Sequence, residues 1–247
     1  MEDWVFGKIV NIKYWNDYLF SIIISANVDS FVAGQFTKLG TIIDGKKILR
    51  SYSYVNSPHD EYLEFYLINV QGGKFSTYLY NSSIGDNIMI RKKPSGFFVL
   101  NNIPSCKNLW MISTGTAIGP YLSILKYGVG LERFENIVLI HAVRFFRDLS
   151  YLNDMKILSE TYKKIKIRTV VSREKISGSL FGRIPNLICS GLLESEIGVD
   201  LDRENSHVML CGNPNMVSDT VMLLEDDRGM KKNSKNRLGN ITIERYW

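Results

Sequence analysis

The sequence predicts a two-domain protein of β and α/β type, with an N-terminal antiparallel β-barrel followed by a C-terminal doubly wound parallel sheet. Two observations predict it. Over about the first hundred residues, short runs rich in β-branched and aromatic residues follow one another between turn signals, the pattern of a small barrel. Past Asn101-Asn102-Ile103-Pro104-Ser105, apolar strands alternate with amphipathic stretches of helix length, the pattern of a parallel sheet covered on both faces. The 247 residues suit one large domain or two modest ones, and the change of rhythm sets the expected domains at residues 1–101 and 102–247.

The barrel strands come first. Val5, Ile9, Ile12 and Tyr14 stand among polar residues, and Leu19-Phe20-Ser21-Ile22-Ile23-Ile24 follows the turn-forming Asn16-Asp17. Gly34 to Leu39, Ile48 to Val55 and Leu63 to Val70 come next, punctuated by Asp-Gly, Asn-Ser-Pro and Gly-Gly. In the second half, the strand Leu109 to Ile112 precedes a glycine-containing turn and a helix over Ile118 to Leu125. The strands Ile137 to Ile140, Ile165 to Val171 and Val208 to Leu210 precede helices over Ser150 to Tyr162, Ile184 to Cys189 and Met216 to Leu224. The closing Ile241-Thr242-Ile243-Glu244-Arg245-Tyr246-Trp247 is strand-like and ends on two aromatics, which suggests a flat group or the protein's own core to pack against.

Composition removes several classes. A hydrophobic fraction of 45% with 22% charged residues excludes disordered, collagenous and coiled-coil chains. No apolar run approaches the roughly 20 residues of a membrane helix, and the acidic Met1-Glu2-Asp3-Trp4 start lacks the features of a signal peptide. A cytoplasmic protein without membrane insertion is therefore expected. Cys106, Cys189 and Cys211 are scattered, and His59, His141 and His207 share no ligand spacing, so no metal site is expected. The net charge of +5 favours acidic partners. The basic residues are dispersed along the chain, which argues against nucleic acid.

Five segments carry chemistry. In a strand, Arg50 and Tyr52 share one face and Ser51 and Ser53 the other, so Arg50 suits a phosphate while the Tyr52 ring stacks on an aromatic ligand. Spacing alone fits a half-exposed strand with a surface cation better. Gly72-Gly73-Lys74-Phe75-Ser76-Thr77 fits a helix start whose N–H groups hold a pyrophosphate, or a plain capped turn. Thr114-Gly115-Thr116-Ala117-Ile118-Gly119-Pro120 follows an apolar strand and opens a helix, the position of a dinucleotide-binding turn and equally of a tight connection. Arg144, after the strand ending at Val143, and Ser172-Arg173, after the strand ending at Val171, stand at carboxyl ends of strands, with Arg183 further on. Together they suit a dianionic 2′-phosphate and hence NADP rather than NAD, although any one of them alone reads as a surface arginine. Cys211-Gly212-Asn213-Pro214 follows a fourth strand; its thiol suits packing against a nicotinamide ring, or simple burial.

In this order the segments resemble the flavodoxin/ferredoxin–NADP reductase family, bacterial branch, from Trp4 to Trp247. Arg50-Ser51-Tyr52-Ser53 matches R-x-Y-S, Gly73-Lys74-Phe75-Ser76 matches G-x-x-S/T, the Thr114 to Pro120 segment matches the nicotinamide-side loop, and Cys211-Gly212 matches the C-G motif. The Glu244-Arg245-Tyr246 ending resembles the family's acidic-x-Tyr. Phe75-Ser76-Thr77-Tyr78-Leu79 departs from relatives that carry Pro and Arg after the Ser.

The resemblance implies FAD on the barrel and NADP(H) on the parallel sheet. FAD would meet Arg50, Ser51, Tyr52, Ser53, Tyr66, Lys74, Phe75, Ser76 and Thr116, with Tyr246 over the second flavin face and Trp247 near the adenine. NADP would meet Thr114, Gly115, Thr116, Val143, Arg144, Ser172, Arg173, Arg183, Cys211, Gly212 and Asn213, and the catalytic group would be Ser53, Cys211, Glu244 and Tyr246. The implied reaction is hydride transfer between nicotinamide C4 and flavin N5, with single-electron delivery to an acidic flavodoxin or ferredoxin by a monomer. Lys231, Lys232, Lys235 and Arg237 are candidate docking cations or a solvated loop. The alternative is a free-flavin or quinone reductase on the same fold, using NAD(P)H. A nucleic-acid-binding barrel is the remote one.

Overall fold

Alternating apolar residues in the N-terminal half form β1 (Trp4–Tyr14), β2 (Leu19–Ser25), β3 (Phe36–Ile43), β4 (Lys46–Ser53), β5 (Leu63–Ile68) and β6 (Asn87–Arg91) in the computed structural model, which describes residues 3–246. They make one six-stranded antiparallel sheet in the order β4-β3-β6-β1-β2-β5. Strand β6 is an addition to the expected set; its three apolar residues are too few for a periodic signal. The turns obey local chemistry. Asn16 Oδ1 accepts the Tyr18 and Leu19 N–H groups between β1 and β2. Asp44 and Gly45 both take positive φ (52° and 70°) between β3 and β4, the two-residue geometry that matches strand twist.

The sheet curls so that its two edges meet. An antiparallel bridge joins Tyr54, just past β4, to Phe65 on β5, and the Val55 N–H donates to the Glu64 carbonyl at 2.9 Å. Inside lie Ile9, Phe20, Ile22, Ile24, Leu39, Phe65, Leu67, Ile88 and Ile90. Helix α1 (Lys74–Tyr80) adds Phe75 and Leu79, four residues apart on one helical face, to this core.

The chain divides into two compact units. The first takes the chain up to Val99 together with Gly119–Tyr127; the second takes Leu100–Ile118 and the chain from Gly128 onward. Helix α2 (Gly119–Tyr127) thus belongs to the first unit, although the change of rhythm near residue 101 predicts one crossing. Within that unit Tyr121 and Phe98 pack with ring centroids 5.4 Å apart, Ser123 Oγ donates to the Asn56 carbonyl at 2.7 Å, and Lys126 pairs with Glu64 at 3.6 Å. Gly34 permits this packing. At φ +97°, a Cβ there would lie 2.1 Å from the Phe98 carbonyl oxygen. Gly34→Ala is expected to destabilise the first unit by more than about 2 kcal/mol, read as a lower urea midpoint of its transition.

In the second unit, β7 (Asn108–Thr114), β8 (Asn136–Val143), β9 (Ile165–Val171), β10 (Leu180–Phe181), β11 (Ser206–Gly212) and β12 (Ile241–Arg245) are all parallel, in the order β10-β9-β8-β7-β11-β12. Helices α3 (Leu152–Thr161), α4 (Ile184–Cys189), α5 (Leu192–Ile197) and α6 (Pro214–Arg228) connect them. One core cluster stacks Trp110, Ile112, Val138, Ile140, Val208 and Leu210 against Leu187, Ile188, Val217 and Leu224. The strand-like ending forms β12, whereas β10 and α5 extend the expected pattern; of two and six residues, they are too short for periodicity to reveal. The strand order reverses between β7 and β11. In open α/β sheets that switch point leaves a crevice at the carboxyl ends, where ligands bind.

Candidate functional site

In the first unit the R-x-Y-S residues sit near the end of β4, where the Tyr54–Phe65 bridge brings β5 and Tyr66 alongside. Arg50 is exposed. Its Nη1 donates to the Leu49 carbonyl at 2.8 Å, and no carboxylate pairs with it among the described residues. Tyr52 is half-buried: burial pushes its hydroxyl up to about 12, and the Arg50 charge pulls the other way, as the shared face requires. Ser51 is exposed and Ser53 buried, whereas Tyr66 is buried edge-on to Trp15, ring centroids 6.2 Å apart.

The Gly73 segment begins α1. The Ser76 hydroxyl accepts the Val70 N–H and donates to the Gly73 carbonyl, both at 3.1 Å, so it closes the turn that presents the helix start. A Cβ on Gly73 would lie 2.6 Å from Ser76 Oγ. The first-turn N–H groups of Lys74, Phe75 and Ser76 have no intrahelical acceptor. The Phe75 ring lies 6.1 Å from Tyr52, and the Lys74 ammonium meets Asp44 at 3.1 Å in an exposed pair of small energetic value. An arginine without a carboxylate, open helix-start donors and neighbouring aromatic rings fit a diphosphate joined to a flat ring system.

In the second unit the predicted residues gather at the carboxyl ends of four strands. At the switch point Thr114 and Gly115 leave β7, and Cys211, Gly212 and Asn213 leave β11. Thr114 Oγ1 accepts the Asn213 N–H at 2.8 Å and occupies the place of a Gly212 side chain, since a Cβ there would lie 2.1 Å from it. Asn213 in turn caps α6, accepting from the Asn215 and Met216 N–H groups. Gly115, at φ +57°, has open space where its side chain would be, and Thr116 is buried. The ladder continues past β8 and β9: the Ser172 N–H donates to Val143 and the Arg173 N–H to Arg144, at 3.1 and 2.9 Å. Gly182 donates to Val171, which returns the chain to that end just before Arg183 at the start of α4. Arg144, Arg173 and Arg183 are exposed there. Arginine donors at adjacent strand ends, with Ser172 between them, fit a phosphate dianion.

Behind these ends runs a row of polar residues in register, Glu244–Cys211–Ser113–His141–Thr169, across β12, β11, β7, β8 and β9. Cys211 is fully buried; burial first, then the Glu244 charge, holds its thiol well above the ordinary range, so it stays protonated. Neither ring nitrogen of His141 has a hydrogen-bond partner among the described residues, and burial lowers it to about 4. His207, lowered to about 3 by burial and then by the Arg133 charge, meets Thr242 Oγ1 at 2.9 Å. The Tyr246 N–H donates to the Gly212 carbonyl at 3.2 Å, which anchors the chain end on the C-G loop; Trp247 lies outside the described residues. Lys231, Lys232, Lys235 and Arg237 are exposed, with Lys232 3.8 Å from Glu225.

Sequence reasoning missed one feature of this end, a cavity of about 440 Å³ lined by Phe145, Phe146, Arg147, Glu174 and Ile176. The signal that marks it is a pair of adjacent phenylalanines flanked by arginines, directly after a strand. Among the described residues there is no cluster of metal-ligating side chains, and no helix is long and apolar enough to cross a membrane.

Comparison with known proteins agrees with this geometry. The family model described as "Oxidoreductase FAD-binding domain" matches residues 15–99, and that described as "Oxidoreductase NAD-binding domain" matches residues 111–222. A flavodoxin/ferredoxin–NADP reductase of Escherichia coli (strain K12) is 54% identical over 248 aligned residues that span 100% of each chain. The chain belongs to the flavodoxin/ferredoxin–NADP reductase family. A ferredoxin–NADP reductase of Azotobacter vinelandii is 33% identical over 96% of this chain and 95% of its own. The crystal structure of a ferredoxin NADP+ reductase from Neisseria gonorrhoeae with bound FAD and NADP matches with a TM-score of 0.93, at 32% identity over 98% of both chains. The curled sheet and the parallel sheet are those of the flavodoxin/ferredoxin–NADP reductase fold.

Proposed function

We propose that this chain is an FAD-dependent reductase that moves electrons between NADP(H) and a small acidic carrier, flavodoxin or ferredoxin. The observation that carries the reading is the Arg144–Arg173 ladder pair with Arg183 beside it, at the carboxyl end of a sheet whose switch point is closed by Thr114 and Asn213. When bound, FAD supplies hydride exchange with nicotinamide and release of single electrons. The chain's own groups bind and orient. Arg50 and the open N–H groups of Lys74, Phe75 and Ser76 would hold the pyrophosphate. Tyr52 and Tyr66 would line the flavin from the barrel, with Ser53 near its reactive edge. Arg144, Ser172, Arg173 and Arg183 would hold the 2′-phosphate, and Thr114, Gly115, Gly212 and Asn213 would shape the nicotinamide side. Cys211 contributes a neutral thiol that packs without ionising, and Glu244 sets the charge beside it.

Bleaching of the flavin band tests the reading. NADPH is expected to reduce the protein far faster than equal NADH. The Arg144→Ala, Arg173→Ala double variant is expected to narrow that preference by about a hundredfold, because two charge-assisted contacts are lost. An unchanged preference would remove the 2′-phosphate assignment. An acidic protein acceptor fits the +5 charge. Electron delivery to flavodoxin should slow steeply between low salt and about 0.3 M, while turnover of free FMN should not. Equal salt responses would favour the free-flavin reading.

A further inference from the structure

We propose that the outward face of the first unit's sheet, over β1, β3, β4 and β6, is a docking surface for an anionic lipid bilayer. The inference is independent of the redox reading, since it uses none of the residues assigned to FAD or NADP(H).

The register sorts the side chains. Ile9, Leu39, Ile88 and Ile90 point into the core, so their neighbours along each strand point away from it. One outward row runs Phe6–Met89–Gly40–Leu49 across β1, β6, β3 and β4. Phe6 is 73% exposed, and Ile42, two residues beyond Gly40 on the same face, is 65% exposed. Gly40 leaves room for Leu49 to lie across the row, since a Cβ there would fall 2.4 Å from Leu49 Cδ2. Single exposed apolar residues are ordinary, whereas a row of them on one sheet face marks an interaction surface.

Charge selects the partner. The four strands contain no aspartate or glutamate. On the same face as the apolar row, Lys8 and Lys47 are exposed and Lys38 and Arg91 half-buried. None of the four pairs with a carboxylate among the described residues. A second copy of this chain would set these cations against their own kind. A single nucleic-acid strand stacks on successive open rings. Here the Lys47 ammonium lies 4.2 Å from the Trp4 ring centre and occupies a face of it, and Phe6 is followed by the non-aromatic Met89, Leu49 and Ile42. Apolar side chains among cations on long apolar stems suit the boundary between acyl chains and anionic headgroups, where a tryptophan ring also sits well. Such a contact lies on the bilayer and sends no segment across it.

The test is co-sedimentation of the whole protein with vesicles of phosphatidylglycerol and phosphatidylcholine in equal parts, against vesicles of phosphatidylcholine alone. The salt is held at about 0.1 M, where surface charges still act over about 10 Å. The wild-type protein is expected to bind the anionic vesicles at least about tenfold more tightly. Lys8→Glu with Lys47→Glu should weaken that binding about 25-fold, at about fivefold per cation. Phe6→Ser with Ile42→Ser leaves the net charge unchanged and should weaken it about tenfold. Lys156→Glu with Lys163→Glu, both exposed in the second unit, changes the net charge as much as the first pair and should leave binding within about twofold. Urea midpoints check that each variant folds, and the charge and apolar pairs test the face separately, so either one decides. No preference for anionic vesicles, equal losses from the two charge variants, or full binding by the Phe6 and Ile42 variant would overturn the proposal. Binding of a single-stranded oligothymidylate that depends on Phe6 and Ile42, with vesicle binding that does not, would assign the face to nucleic acid instead.

Discussion

Alanine in place of Gly212 is expected to lower kcat/KM for NADPH by about a hundredfold or more while the protein still takes up flavin. The backbone there stands at φ +135°, a conformation that strains any side chain by roughly 1–3 kcal/mol. The added Cβ would also fall 2.1 Å from Thr114 Oγ1 and 3.0 Å from the Thr114 nitrogen. Relief requires Thr114 to swing away, and the Asn213 N–H then loses its acceptor at the point where two strand ends converge. A loss of about 2.7 kcal/mol of transition-state stabilisation corresponds to the hundredfold figure. Thr114→Ser, which keeps the oxygen, should retain most activity. Thr114→Val, which removes the acceptor at similar volume, should reproduce much of the glycine defect. Rapid-reaction rates of NADPH oxidation, normalised to flavin content, measure both; a Gly212→Ala protein of normal rate would show that the latch is irrelevant.

The second large effect is loss of stability in mild acid. His141 and His207 are held neutral, at about 4 and about 3, against about 6.5 in an unfolded chain. Between those limits the unfolded state binds more protons than the folded one, so stability rises with pH through this window. The contribution is complete above about 6.5 and is lost as pH falls toward 4 for His141 and toward 3 for His207, with about 2 kcal/mol per histidine already lost at pH 5. Urea midpoints at pH 7 and pH 5 read it directly. His141→Leu should remove about half of the difference, since the imidazole has no hydrogen bond among the described residues to lose and the row it occupies is buried. A variant with the wild-type pH slope would assign the acid sensitivity elsewhere.

Much of this was legible in the sequence, for physical reasons that also mark its limits. Long strands such as β1 and β9 declare themselves because burial on one face, or on both, imposes a pattern over seven or more residues. Strand β6, strand β10 and helix α5 are too short to carry such a pattern. Arg50 with Tyr52, and Arg144 with Arg173, were readable because strand alternation and carboxyl-end placement are local rules. The Thr114–Asn213 bond spans 99 positions, and the Phe146–Glu174 contact joins separate loops. No local rule reaches that far. His141 looked unremarkable as one histidine among three; its isolation emerges only when the strands on both sides are in place.

The assignment of Gly119–Tyr127 to the first unit has a consequence for synthesis on the ribosome. When residue 101 leaves the exit tunnel, the amino-terminal half still lacks Tyr121, Leu122 and Leu125, all fully buried in the finished protein. Its apolar face must wait some twenty-five further codons, during which the first strand of the other sheet has already been made. Nascent chains arrested with residue 101 exposed should therefore be digested by added protease, and those arrested past residue 127 should resist it over the same segment.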